Sequence, residues 1–152
     1  MVNTNKPLVQ IVLPIIIVLS MAHMTDAQTR INHTAIYVRD VQKSGDFYQR
    51  IIGLSRIPDP FNDDRHMWLR TSPVTSLHII GTAQTAKEYF KDHHTCYSVA
   101  NFDGMIALMQ REGVAFEDVH GNAGTFSVRK DGIRQIYLKD PDGYWLEIND
   151  EK

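Results

Sequence analysis

The chain has almost no cysteine, no large surplus of either charge and no apolar run long enough to cross a bilayer. Cys96 stands alone, which excludes an intrachain disulfide and a thiolate zinc cluster. It lies in an apolar stretch and is expected as a small buried side chain. Sixteen basic residues against eighteen acidic ones leave a formal net charge of −2, with no long basic run. Nucleic acid and anionic membrane surfaces are therefore poor partners. Nine glycines and six prolines are too few for a collagen-like or low-complexity chain, and 43% hydrophobic residues argue against disorder. At 152 residues the chain holds one domain with a real core.

Met1–Lys6 is polar with one positive charge, and Leu8–Leu19 is almost wholly apolar. Two cleavage-like triplets follow, Ser20-Met21-Ala22 and Thr25-Asp26-Ala27. This is the layout of a secretory signal peptide over residues 1–27. Its apolar run falls short of the ~20 residues a spanning helix needs. The expectation is cleavage after Ala22 or Ala27, no stable membrane insertion afterwards, and an exported protein, periplasmic or secreted. Its single domain covers residues 28–152.

The rest of the chain reads as two copies of one unit, about 30–81 and 93–150. His33-Thr34-Ala35-Ile36-Tyr37-Val38-Arg39-Asp40 aligns with His94-Thr95-Cys96-Tyr97-Ser98-Val99-Ala100-Asn101. Both stretches read as strands, and Asp40 and Asn101 fall where a helix N-cap is wanted. Apolar residues then recur with helical spacing, and each helix stops at a glycine, Gly53 or Gly113. Three strands are expected after each helix: Leu54–Ile57, Arg65–Arg70 and Ser76–Gly81, then Ala115–Val119, Gly132–Leu138 and Tyr144–Asn149. Asp140-Pro141-Asp142-Gly143 is a strong turn signal. The fold class is α+β, two tandem strand-helix-strand-strand-strand modules forming a curved mixed sheet with a concave face.

On that repeat, His33 matches His94 at the opening strand, and His78 matches Glu147 at the closing strand. His78 and Glu147 sit between apolar neighbours, so alternation turns both to the face opposite the core. A carboxylate on an inner face is costly unless it is paired or bound to a cation. One divalent metal ion resolves this for His33, His78, His94 and Glu147 together. Imidazole with carboxylate suits Fe, Ni, Zn, Co or Mn and argues against Ca²⁺. Taken singly, each histidine is equally at home as a hydrogen-bonded core or surface residue, and Glu147 could pair with Arg134 or Lys139. His66 could line the cavity, while His93 should face the other side of the sheet. Two loops are candidates for shaping the cavity: Ile57–Asp64, with Pro58, Pro60 and two adjacent aspartates, and Gly121–Gly124, a candidate lid.

These residues resemble the vicinal oxygen chelate superfamily, the glyoxalase, bleomycin resistance protein and extradiol dioxygenase family. The segments that carry the resemblance are His33-Thr34 through Val38 and Asp40, then Ser44, Phe47-Tyr48 and Ile52-Gly53-Leu54, and Asp140-Pro141-Asp142-Gly143-Tyr144 ending in Leu146-Glu147. The resemblance spans about residues 30–150. It implies paired βαβββ modules with a metal in the cup, with His33, His94 and Glu147 at three shared ligand positions and His78 at the variable fourth. Glyoxalase I proteins usually carry a carboxylate there, and bacterial ones tend to have arginine where this chain has Tyr37. Both departures weigh against lactoylglutathione lyase activity.

The function expected is a divalent-metal-dependent, glyoxalase I-like lyase, isomerase or epimerase. It would act on a small substrate with vicinal oxygens through an enediolate-type intermediate, with Glu147 or His78 as the proton-transferring base. An extradiol-type Fe(II) dioxygenase built on His33, His94 and Glu147 is the first alternative. A non-catalytic drug-binding protein, its cup lined by Tyr37, Trp68, Tyr97, Phe126, Tyr137 and Trp145, is the second. A homodimer is compatible with either a shared or a self-contained site.

Overall fold

The two helices begin where a side chain can replace the missing backbone acceptor. In a computed structural model describing residues 29–85 and 87–152, Asp40 caps α1 (Val41–Arg50) by accepting from the Lys43 backbone N–H. Asn101 caps α2 (Phe102–Glu112) in the same way through Gly104. Gly113 ends α2 in the left-handed region at φ 67°, where a Cβ would be strained. The leader expected over residues 1–27 lies outside the described residues.

The first module builds one sheet from β1 (His33–Tyr37), β2 (Ser55–Ile57), β3 (His66–Ser72) and β4 (Thr75–Ile80), in the order β1-β4-β3-β2. The second builds another from β5 (His94–Ser98), β6 (Phe116–Glu117), β8 (Arg134–Lys139) and β9 (Trp145–Asn149), in the order β5-β9-β8-β6. A short extra strand, β7 (Ser127–Val128), joins the outer part of β8. Each opening strand pairs parallel to the closing strand of its own module. The two βαβββ modules of the expected α+β fold thus each form a sheet of mixed strands, with β1 and β5 each at a sheet edge.

Alternation sets which face is core. Leu77 and Ile79 of β4, Met67 and Leu69 of β3, Ile136 and Leu138 of β8, and Leu146 and Ile148 of β9 are buried together with Tyr48, Phe102 and Met109 from the helices. Each such side chain contributes about 1.5–3 kcal/mol on burial. α1 turns Val41, Ser44, Gly45 and Tyr48 inward, the i, i+3, i+4, i+7 pattern of one helical face. A Cβ at Gly45 would meet the thioether end of the Met67 side chain, which would have to shift to make room.

The Asp140–Gly143 turn ties the modules together. Asp140 Oδ1 accepts from the backbone N–H groups of Asp142 and Tyr144, which shapes the turn. Asp140 Oδ2 accepts from the Tyr48 hydroxyl at 3.0 Å. Asp142 accepts from the Arg39 backbone and side chain at 3.0 Å each and from Ser44 Oγ at 2.8 Å. Several motif residues of the sequence are therefore a clamp between the modules.

Candidate metal centre

The face of each sheet opposite the core carries the unusual side chains. On the first sheet, Ala35 of β1 and Trp68 of β3 both lie across the ladder from His78. On the second, Cys96 of β5 and Tyr137 of β8 both lie across from Glu147. His78 and Glu147 therefore occupy equivalent positions of the two modules, as the repeat predicts. Both are buried, at 7% and 6% exposure.

His94 and Glu147 meet directly, Nε2 to Oε2 at 3.2 Å. His94 Nδ1 lies 2.8 Å from the Lys91 carbonyl oxygen, which can only accept, so Nδ1 carries a proton. Nε2 is the nitrogen that faces Glu147: it donates to the carboxylate when the ring is protonated and presents a lone pair when it is not. The same carboxylate accepts from the Tyr137 hydroxyl at 2.7 Å, Asn149 Nδ2 at 3.0 Å and the Cys96 thiol at 3.4 Å. Burial acts to raise the Glu147 carboxyl. The donors Tyr137, Asn149 and Cys96, with His94 nearby, outweigh it and hold its pKa below the usual value. Each of the two groups is oriented by an outer partner, an arrangement that suits a cation between them, a proton on His94 or a metal ion.

The other pair is built of rings. His33 and His78 stand edge to face with centroids 5.9 Å apart. His33 Nδ1 lies 2.9 Å from Asn32 Oδ1, an arrangement that directs Nε2 away as the available lone pair. His78 stacks on Trp68 at 4.0 Å and 14°, and lies nearly parallel to Phe61 at 5.8 Å. Burial first, then the neighbouring His66 and His33, lower its pKa against the opposing pull of Asp59. It is therefore neutral at pH 7, the form that binds metal. His78 Nε2 is buried with no hydrogen-bond partner, and so are Trp68 Nε1 and Asp59 Oδ2 beside it. A buried, unpartnered imidazole nitrogen fits a metal ligand.

The two pairs do not form one cluster within a chain. Among the described residues, no three His, Cys, Asp or Glu side chains are grouped so as to hold a metal ion. The sequence aligned the four positions but carries no signal for how the modules pack.

Several expectations need correction. Glu147 pairs with neither Arg134 nor Lys139: Arg134 holds Asp150 and Asp103, and Lys139 lies over the Trp145 ring. Cys96 is exposed, because alternation on an edge strand turns it to the ligand face. Burial of its sulfur and the Glu147 charge push the thiol up to about 12. Tyr97 packs against the core instead of lining a cup, and Phe126 stands against Phe102. The Gly121–Gly124 loop is tied down, since Asp118 accepts from the His120 and Asn122 backbones and the Asn122 side chain. Of Asn32, Asn149 and the Lys91 carbonyl, which orient the candidate ligands, only Asn149 carries a signal in the sequence. It stands two residues after Glu147 and so on the same face of β9.

Residues 30–148 match the Glyoxalase/Bleomycin resistance protein/Dioxygenase superfamily. The chain belongs to that superfamily. A lactoylglutathione lyase of Pseudomonas putida is 28% identical over 158 residues, covering 86% of this chain and 90% of that protein. Among solved structures, the oxidase ChaP-H1 superposes with a TM-score of 0.65 at 26% identity, covering 82% of this chain and 98% of the other. The fosfomycin resistance protein FosX of Listeria monocytogenes gives 0.63 at 18% identity, covering 80% and 93%. This superfamily member shares its fold with proteins named for different activities.

Proposed function

We propose that this protein is a divalent-metal-dependent enzyme that moves a proton next to a carbonyl in a small substrate with two neighbouring oxygens. The observation that carries this reading is the approach of His94 Nε2 to Glu147 Oε2 at 3.2 Å with both groups held from behind. His33, His78, His94 and Glu147 would hold the cation, which supplies Lewis-acid polarisation of a substrate oxygen when bound. Glu147 is the proton carrier, since its carboxylate is ionised at neutral pH and is held in place by Tyr137 and Asn149. Trp68 and Phe61 restrict water around His78. Because each chain carries the ligands as two separate pairs, a second copy would bring its His33–His78 pair to the first copy's His94–Glu147 pair. The position of β1 and β5 at sheet edges supports such a homodimer.

The test is elemental analysis of the purified protein before and after chelation, with mass in solution measured on the same sample. One metal per four-ligand site, in a dimer, and loss of metal and turnover in Glu147→Gln are expected. A metal-free monomer, or Glu147→Gln with unchanged metal and turnover, overturns the reading.

One observation favours a second reading. His78 is enclosed by Trp68, Phe61 and His66, and if it stays so, His33, His94 and Glu147 remain as two imidazoles and a carboxylate with open positions, the set that suits Fe(II) and O₂. The likeness to the oxidase ChaP-H1 points the same way. In that case His78→Ala keeps its metal, and the Fe(II)-loaded protein consumes O₂ with a catechol. We also propose that the protein is exported after removal of residues 1–22 or 1–27. A mature N-terminus at residue 23 or 28, found by mass spectrometry in the extracytoplasmic fraction, supports this; an intact N-terminus in the cytoplasm rejects it.

A further inference from the structure

A cavity of about 590 Å³ opens between α1 of the first module and the second module, and Tyr137, whose hydroxyl holds Glu147, is part of its wall. Its other apolar surfaces include Phe47 of α1, Phe116 of β6, Pro141 of the turn and Trp145 of β9. Tyr137 and Trp145 lie on the same face of the sheet as Glu147, because Tyr137 is across the ladder from Glu147 and Trp145 precedes it by two residues. Two of the wall residues thus belong to the ligand face, although His94 and Glu147 themselves are not in the wall.

Its charges are unequally matched. Glu117 is ion-paired with Lys91, and the Asp140 carboxylate is committed to the Tyr48 hydroxyl and two backbone N–H groups. Lys43 and Lys139, both in the wall, form no ion pair among the described residues. Lys139 Nζ lies 4.7 Å from the Trp145 ring centroid, and Lys91 Nζ lies 5.2 Å from it. Two ammonium groups thus crowd one indole, a contact worth only about 0.5–1 kcal/mol each at an exposed site. A wall of apolar and aromatic surface with unmatched cations selects a ligand with an apolar stem and an anionic end.

We propose that this cavity binds the acidic end of the substrate: a small molecule whose apolar stem lies against Phe47, Phe116 and Trp145 and whose carboxylate or phosphate is held by Lys43 and Lys139. The inference rests on the enzymatic reading for the identity of the ligand as substrate. Binding to the cavity itself needs no metal.

The experiment uses the full chain freed of metal by chelation and dialysis, so that no probe can bind through a cation. 4-Phenylbutyrate and its neutral analogue 4-phenylbutanamide are titrated while indole fluorescence and the Trp145 indole N–H resonance are followed. Phenyl phosphate is the third probe and separates a phosphate preference from a carboxylate one. At least one of the two anions is expected to bind about tenfold more tightly than the amide. The Lys43→Ala/Lys139→Ala double variant should lose that preference, and Lys43→Gln/Lys139→Gln should lose it too with the side-chain bulk kept. Both lysines are exposed, so the fold tolerates these changes. Equal affinity for the anions and the amide overturns the proposal, as does a preference that survives both double variants or a signal that spares Trp145. Failure here leaves the metal content of wild type and Glu147→Gln unaffected, so the two readings fail separately.

Discussion

Trp68 and Tyr137 are equivalent residues of the two modules, each directly across the ladder from a candidate ligand, His78 or Glu147. The pair differ as their ligands differ. Neutral His78 is matched by a stacked indole at 4.0 Å, and anionic Glu147 by a phenol that donates at 2.7 Å. The next equivalent pair follows the same rule: Ile80 stands two residues after His78, and Asn149, a donor to Glu147, two residues after Glu147. An ionised carboxylate needs donors where an uncharged ring does not.

Tyr137→Phe should therefore act through Glu147. With its shortest donor gone, the carboxylate loses orientation and its pKa rises. Metal affinity at pH 7 is expected to fall about 10- to 100-fold, the usual effect of removing a partner behind a ligand. Titration with Zn²⁺ against a chelating indicator measures it, and wild-type affinity in this variant would count against Glu147 as a ligand.

Asp142 is 5% exposed and gathers Arg39 and Ser44 from the other module. Asp142→Ala leaves the Ser44 hydroxyl and the Arg39 backbone N–H without their acceptor. A loss of about 2–3 kcal/mol is expected, tempered by the partial exposure of Arg39. Urea unfolding followed by circular dichroism gives the value.

The same residue sets part of the acid sensitivity. Burial acts to raise the Asp142 carboxyl, but the Arg39 backbone and side chain and Ser44 together pull its pKa below the usual value. A carboxyl with a lower pKa folded than unfolded contributes stability in full above about pH 4 and loses it as pH falls through the folded value. Asp142→Asn should flatten the fall in urea midpoint below pH 4, measured against wild type in the same buffers. An unchanged slope would show that this carboxyl does not govern it.

Cys96 is exposed yet should be slow to react. Its thiol is pushed up to about 12, so little thiolate exists at pH 8. Alkylation of the metal-free protein by iodoacetamide is expected to be at least about 100-fold slower than that of a free cysteine. Glu147→Gln should speed it by removing the adjacent negative charge. Mass spectrometry over time reads both rates.

The sequence alone specified the two modules, because a β-to-α change of period, an Asp or Asn cap and a terminating glycine are local signals. Asp40, Asn101 and Gly113 do in the structure what their types predict. Strand alternation likewise put His78 and Glu147 on the face away from the core, since a period of two is a property of the backbone. Packing between modules and the partners of each ligand are not local. Asp142 reaches Arg39 and Ser44 roughly a hundred residues away, Lys91 orients His94 with a carbonyl that any residue type could supply, and Cys96 lies open where its neighbours suggested burial. Only the tertiary structure separated the ligands into two pairs, because which sheet edges meet depends on the summed burial of both modules and not on any one segment.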